Sequence, residues 1–224
     1  RPDFNRQLYQ FRYSASFVEN PNKGSRIFWD IWELSTIRIE KSEAFQNLLT
    51  SLNDDFLINS YSNHLISSGR VGWLLNNQKG NRQRRYYYNR ISLESAGNLL
   101  RLGFVSSGVS PDTDGGYEIQ GIQFAQYWKL ENDFRYYRTF DDNNRLAFRL
   151  NTGVGRPGAN LSVLPYAKSY YGGGSNGIRA WDPRSLGPGS YRDLSGVYSY
   201  NNLGEVKLET SLEYRFNLTD MLEA

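Results

Sequence analysis

Residues 6–18 read RQLYQFRYSASFV, a stretch in which bulky apolar and polar side chains alternate. One set of alternate positions carries Tyr9, Phe11, Tyr13, Ala15 and Phe17, and the other carries Arg6, Gln10, Arg12, Ser14 and Ser16. A helix would scatter these residues around its circumference, whereas a strand points successive side chains to opposite faces. The stretch therefore predicts a β-strand with one apolar and one polar face.

The same period of two recurs along the chain. It is clear in residues 144–155 and 205–216, and less regular in 27–39, 65–76, 86–96 and 123–138. Within 27–39 the alternation slips near Trp32 and Glu33, which indicates a β-bulge. Residues 42–53, SEAFQNLLTSLN, instead begin with a potential capping serine and repeat apolar residues at helical spacing. We expect an all-β fold with one short helix.

The connections between the predicted strands alternate between short and long. Short polar turns contain NPNKGS, NNQKGNRQRR and DDNN, and the long inserts span 40–64, 97–122 and about 156–203. This order places every long insert at one end of an up-and-down sheet. Transmembrane barrels combine short periplasmic turns with long external loops in this way.

A soluble antiparallel sheet is the competing interpretation, and alternation alone favours a sandwich or a soluble barrel. Three features favour a membrane barrel instead. Predicted strands reach 16 residues in 123–138, well beyond the usual five or six. The polar positions carry both signs of charge, as a water-filled interior requires. Aromatic residues gather at segment ends, as in membrane-interface girdles: Trp29 and Trp32, Tyr86–Tyr88, Tyr136 and Tyr137, Tyr170 and Tyr171.

The composition argues against several kinds of site. The chain has no cysteine, and its single histidine, His64, allows at most one serine-histidine triad. The carboxylate pairs Asp54-Asp55 and Asp141-Asp142 lie at a loop start and in a turn, where solvation is their expected role. The net charge of +3 comes with no basic stripe of the kind that binds nucleic acid. We expect no nucleic-acid partner. Asp112-Thr113-Asp114-Gly115 matches part of a calcium loop but lacks its terminal glutamate, so a plain turn is favoured there; we assign no metal site, and an external calcium site stays an open alternative.

Residues 164–191 read LPYAKSYYGGGSNGIRAWDPRSLGPGSY and differ from the rest of the chain. Glycines at 172–174 permit unusual backbone dihedrals, and Pro183 and Pro188 stiffen the segment. A flexible linker would not carry Ile178-Arg179-Ala180-Trp181 at its centre. If the loop folds back and buries Arg179, the guanidinium needs carboxylate partners, because an unpaired buried charge is very costly.

This segment resembles the sixth extracellular loop of the BamA/TamA outer-membrane assembly superfamily, also called the bacterial surface antigen family. The matching residues are Leu164-Pro165-Tyr166, Gly173-Gly174-Ser175, Ile178-Arg179-Ala180-Trp181 and Leu186-Gly187-Pro188-Gly189. Ala180 departs from the glycine usual in the family. The resemblance implies that Arg179 reaches into the barrel lumen and pairs with Glu213, so that replacing Arg179 destabilises the barrel or its assembly. Residues 93–98, LESAGN, look most like the TamA-like branch.

The resemblance implies that residues 1–224 form part of a transmembrane antiparallel barrel, about strands six to twelve of sixteen. Residues 164–203 would fold into the lumen, and POTRA domains and the other strands would lie outside this chain. The implied function is assembly or translocation of proteins at the bacterial outer membrane, with no enzyme activity, catalytic residue or cofactor. Implied partners are membrane lipids, client outer-membrane or secreted proteins, and a periplasmic or inner-membrane protein. The alternatives are a two-partner-secretion transporter and a soluble carbohydrate-binding β-sandwich.

Overall fold

A computed structural model of the chain describes residues 4–20, 24–52, 58, 61–80, 83–112, 115–186, 202–219 and 222–223. Seven long strands dominate it: β1 (Phe4–Asn20), β2 (Ser25–Lys41), β3 (His64–Asn76), β4 (Arg85–Ala96), β7 (Tyr127–Thr139), β8 (Asn144–Pro157) and β9 (Val206–Thr219). The short elements are strands β5 (Glu118–Ile119), β6 (Ile122–Gln123) and β10 (Leu222–Glu223), with helices α1 (Glu43–Leu52) and α2 (Asn98–Ser106).

The long strands form one antiparallel sheet in the order β1-β2-β3-β4-β7-β8-β9, with β10 beside β9. Neighbours in the sheet are neighbours along the chain, except where the β5–β6 hairpin intervenes. Within the described residues the sheet is open and does not close into a barrel. Its meander topology places the long inserts at one end, the loop end, and the short turns at the other, the turn end.

The seven predicted strands are confirmed. The bulge predicted near Trp32 is also present, because Tyr13 pairs with Trp32 whereas the next residue, Ser14, pairs with Asp30. Ile31 is the extra residue, and the β2–β3 register shifts between Asp30 and Glu33 as well.

The insert between β4 and β7 differs from the sequence prediction of a loop. It holds a second helix, α2, and the β5–β6 hairpin, where we expected only loop. Gly97 ends β4 in a left-handed conformation with φ of 66°, and its N–H donates to the Ser67 carbonyl. Strand β7 begins at Tyr127, four residues after the predicted start, because Phe124 instead forms an isolated bridge with Leu65.

The two faces of the sheet differ in chemistry. The outer face exposes bulky apolar side chains, and one row runs through directly paired residues of six neighbouring strands: Trp29, Val71, Leu93, Leu130, Val154 and Val206. The opposite, inner face carries charged residues in matching rows. Such opposed faces are expected when one side contacts lipid and the other lines a polar interior.

At the loop end, apolar residues cover the inner face. Phe45 and Leu49 of α1 pack with Ile37, Ile39 and Ile66 of β2 and β3 in a buried cluster. The Tyr166 ring, from the connection between β8 and β9, packs against the same cluster. Neither described helix has the length and hydropathy needed to cross a membrane.

Candidate functional site: a loop docked on the inner face

The long loop between β8 and β9 is described at residues 158–186 and 202–205, and these residues lie on the inner face at the loop end. Two glycines of β8 provide room for it. A Cβ on Gly153 would lie 2.4 Å from the Tyr170 ring, and a Cβ on Gly155 would lie 2.4 Å from Leu164 Cδ1. The missing side chains of β8 therefore let the loop approach the sheet closely.

Lys168 ties the long loop to two distant strands. Its Nζ lies 3.1 Å from Glu33 Oε1 of β2 and 2.7 Å from Glu94 Oε1 of β4. Both carboxylates are buried, with Glu94 only 2% exposed. Burying two carboxylates requires charged or hydrogen-bonding partners, and Lys168 supplies one partner to both.

The strands of the sheet supply the remaining partners. Arg12 Nη2 of β1 lies 2.7 Å from Glu33 Oε2, and Arg70 Nε of β3 donates to Glu94 Oε2 at 3.0 Å. The Tyr127 hydroxyl of β7 donates to Glu94 Oε1 at 2.6 Å. We call this set the Lys168 cluster: Arg12, Glu33, Arg70, Glu94, Tyr127 and Lys168. It joins the loop to five strands, and charge-assisted bonds of this kind are the strong ones.

A second contact holds the loop tip. Arg149 Nη1 of β8 donates to the Asn176 carbonyl oxygen at 2.5 Å, and its Nε donates to Asp133 Oδ1 at 3.1 Å. Gly177 lies against β9, where a Cβ on it would be 3.1 Å from Glu209 Oε2. The loop therefore contacts both halves of the sheet, β2 and β4 directly through Lys168 and β8 and β9 through its tip.

The tip itself is a compact turn that brings the sequence motifs together. Gly174 N–H donates to the Trp181 carbonyl at 2.8 Å, and Arg184 N–H donates to the Gly172 carbonyl at 2.9 Å. Gly173 has a φ of 86°, and a Cβ on it would lie 2.2 Å from the Asp182 oxygen. Only glycine fits there without displacing backbone. The predicted motif residues Gly173, Gly174, Ile178, Arg179, Ala180 and Trp181 all belong to this turn, whereas Gly187 and Pro188 lie outside the described residues.

Arg184 braces the base of this turn. Its guanidinium lies 4.7 Å from the Tyr166 ring centroid and 4.3 Å from that of Tyr171. The Asn202 side chain donates to the Arg184 carbonyl at 2.7 Å, which ties the returning chain to the loop. Nearby, the Lys129 ammonium lies 4.2 Å from the Tyr170 ring, and burial raises the pKa of Tyr170.

The predicted partners Arg179 and Glu213 line one cavity between the loop tip and β8–β9. Arg179 is exposed. No ion pair within 4.0 Å joins the two in the described part of the chain; Glu213 Oε1 instead accepts from Arg215 Nε at 2.9 Å. Their direct pairing stays a prediction.

Sequence reasoning missed Lys168, Glu33 and Arg149 as loop contacts. Lys168 lies 135 residues from Glu33 and 74 from Glu94, so no local pattern connects them. A signal was available in the strands. Once the register between neighbouring strands is known, one row of directly paired residues on the inner face alternates in charge: Asp30, Arg70, Glu94 and Lys129. Such a row of alternating charge indicates a buried polar site.

The other candidates show ordinary structural roles. Asp141 lies in the β7–β8 turn, where hydrogen bonds from the Asn144 side chain and the Asn143 N–H lower its pKa. The buried His64 ring contacts the Ser62 carbonyl through Nδ1 at 2.8 Å. Among the residues that the structure describes, no group of three or more His, Asp or Glu is placed to hold a metal ion.

A family model described as the Omp85 superfamily domain matches residues 4–223. The chain belongs to the Omp85 superfamily. Members of this superfamily are outer-membrane proteins that in general assemble or translocate proteins there, together with clients and partners. No curated protein sequence matches the chain.

The single sheet of this Omp85 domain is compatible with part of an Omp85 barrel. A β-sandwich needs a second sheet packed against the first, and the described residues add only the two-residue strands of β5–β6. The family match and the topology therefore both weigh against the carbohydrate-binding sandwich.

Proposed function

We propose that this Omp85 domain is part of a sixteen-stranded outer-membrane barrel of the TamA-like branch, without enzymatic activity. Its seven long strands would supply about strands six to twelve, and its long loop would fold into the lumen. The barrel would insert or translocate client proteins with the help of a periplasmic or inner-membrane partner. The observation that carries this proposal is the long loop docked on a charged inner face through the Lys168 cluster.

The docked loop supports this proposal because it connects the strands of this part of the barrel wall to one another. Lys168 contacts β2 and β4 directly, and the other members of its cluster connect these carboxylates to β1, β3 and β7. The loop tip contacts β8 and β9. In the family the client adds strands at a seam between the first and last strands, by β-augmentation. A braced wall would keep these middle strands together while the seam opens.

The proposal is tested by depleting the full-length protein from its own bacterium. We expect the protein in the outer-membrane fraction, with a gel mobility that changes on boiling, and we expect unfolded clients to accumulate on depletion. Loss of a restricted set of outer-membrane proteins supports the TamA-like role, and loss of most of them supports a general assembly factor. Loss of one secreted protein alone supports two-partner secretion. A detergent-independent soluble protein with no mobility shift contradicts the barrel itself.

A further inference from the structure

Helix α2 lies on the outer side of the sheet at the loop end. Its first residues, with Gly97, line a small cavity of about 160 Å³ together with Ile31, Trp32, Ser67 and Gly69. Ile31 and Trp32 belong to the outer face, where both are exposed. The helix therefore lies beside the apolar outer face of the sheet, opposite the inner face that the long loop contacts.

The apolar face of α2 is turned to the outside. Leu99 is 84% exposed, Leu102 65% and Val105 54%, and none of the residues of the helix is buried. These three residues recur at intervals of three, so they share one face of the helix. Such an apolar face is unfavourable in water, because each exposed leucine or valine side chain forgoes the free energy that its burial would give.

Aromatic contacts fix this orientation. The Phe104 ring stacks on Tyr117 at 5.2 Å and on Phe124 at 5.9 Å, and the Arg101 guanidinium lies 5.4 Å from the Tyr117 ring. Phe124 is fully buried, so this side of the helix is attached to the body of the protein. The leucine face cannot turn inward without breaking these contacts.

The exposed face of α2 continues the outer face of the sheet. Ser95, two residues before Gly97, pairs with Trp128 of β7, which is 49% exposed. Trp32 of β2 is also exposed and donates from Nε1 to Ser67 at 3.0 Å. Tryptophans at this level are typical of the boundary between lipid and water. A nine-residue helix is about 14 Å long, which is too short to span a bilayer but suited to lie in its interface.

We propose that α2 is an interfacial helix that lies in the outer leaflet, with Leu99, Leu102 and Val105 among the lipid acyl chains. The inference rests on the proposed outer-membrane function. The occupant of this apolar face is lipid, because the face is continuous with the apolar outer face of the sheet. The one charged residue of the helix, Arg101, is only partly exposed and its guanidinium lies over the Tyr117 ring. The insert after β4 would thus anchor the external rim to the membrane.

The test uses depth-dependent fluorescence quenching of the full-length protein in phosphatidylcholine vesicles. Residues 1–224 contain no cysteine, and any cysteine elsewhere in the full-length protein is replaced by serine, so that one introduced cysteine carries the single fluorophore. The variants are Leu102→Cys on α2, Glu118→Cys on β5 as an exposed control in the same insert, and Leu130→Cys on the outer face of β7. Lipids carry a doxyl quencher either near the headgroup or deep in the acyl chain.

We expect shallow doxyl lipid to quench the fluorophore at Leu102→Cys at least about threefold more than at Glu118→Cys. Iodide in the water should quench them in the opposite order. Equal iodide quenching at both sites would place α2 in water and overturn the proposal. Protection of Leu102→Cys from both lipid and iodide would mean that another segment or a second copy covers the helix, which also overturns it.

Leu130→Cys separates this inference from the proposed function. Deep doxyl lipid should quench its fluorophore, because it lies within the outer-face row. If Leu130→Cys is not quenched by lipid, the membrane barrel itself is contradicted. If Leu130→Cys is quenched and Leu102→Cys is not, only the interfacial helix is contradicted.

Discussion

The long loop meets the sheet in two regions that differ in how they are held. At Lys168, a loop cation sits between two buried carboxylates of different strands. At Arg179, the motif side chain is exposed, and its predicted partner Glu213 binds Arg215. The tip is attached instead by its backbone, through the Asn176 carbonyl and Arg149. The motif marks where the loop turns, whereas the buried ion cluster marks where it is anchored.

The residues that resemble the family motif are therefore not the residues that make the strongest contacts between loop and sheet. Removing one partner of a buried ion pair leaves an uncompensated charge and costs about 3–5 kcal/mol, whereas an exposed pair contributes about 1 kcal/mol or less. The Lys168 region should therefore dominate the stability of the docked loop.

The largest effect is expected for Lys168→Met. This change leaves Glu33 and Glu94 without their shared cation, and we expect a loss of about 3 kcal/mol or more in urea unfolding from lipid vesicles. Lys207→Met is the matched control, because Lys207 pairs with Glu209 at 3.2 Å in a more exposed place. Equal losses of unfolding free energy in Lys168→Met and Lys207→Met would contradict the stronger contribution of the buried contact.

A smaller loss is expected for Gly173→Ala. The added Cβ meets the Asp182 carbonyl at 2.2 Å in a left-handed backbone, so the tip must rearrange at a cost of about 1–3 kcal/mol. Gly172→Ala is the control, because its Cβ would lie 3.2 Å from the Leu186 side chain. Limited proteolysis of the loop should accelerate in Gly173→Ala more than in Gly172→Ala, and the reverse order would contradict the turn described here.

Arg179→Ala should change stability by less than about 1 kcal/mol, because Arg179 is exposed and has no ion pair with Glu213 within the described residues. Protection of the loop amides in hydrogen exchange should persist. A loss as large as that of Lys168→Met would mean that Arg179 reaches Glu213 directly, as the family resemblance implies.

The smallest effect is expected at the turn end, with Asp141→Ala. Hydrogen bonds from Asn144 and Asn143 hold the pKa of Asp141 below its ordinary value of 3.8. A lowered folded-state pKa stabilises the protein above the unfolded pKa, and this stabilisation is lost as the pH falls below 3.8. The variant should therefore differ slightly from wild type in thermal midpoint at pH 7, and the difference should shrink at pH 3. A difference that grows on acidification would contradict this role.

The strands were predictable because alternation is local. Residues 6–18 and 205–216 display their two faces without reference to the rest of the chain, and β1 and β9 follow them. Helix α2 was missed because its apolar face points outward and Gly103 interrupts it, so the segment does not show the usual pattern of a helix against a core. The Lys168 cluster was missed because it depends on strand register and on one loop residue far along the chain.

A pair of double-mutant cycles measures how strongly Lys168 and Arg179 each couple the loop to the sheet. One cycle combines Lys168→Met with Glu94→Gln, and the other combines Arg179→Ala with Glu213→Gln, each measured by urea unfolding of the full-length protein in lipid vesicles. The anchoring of the loop by Lys168 predicts a coupling energy of about 1–3 kcal/mol in the first cycle and less than about 0.5 kcal/mol in the second. A second coupling equal to or larger than the first would contradict it.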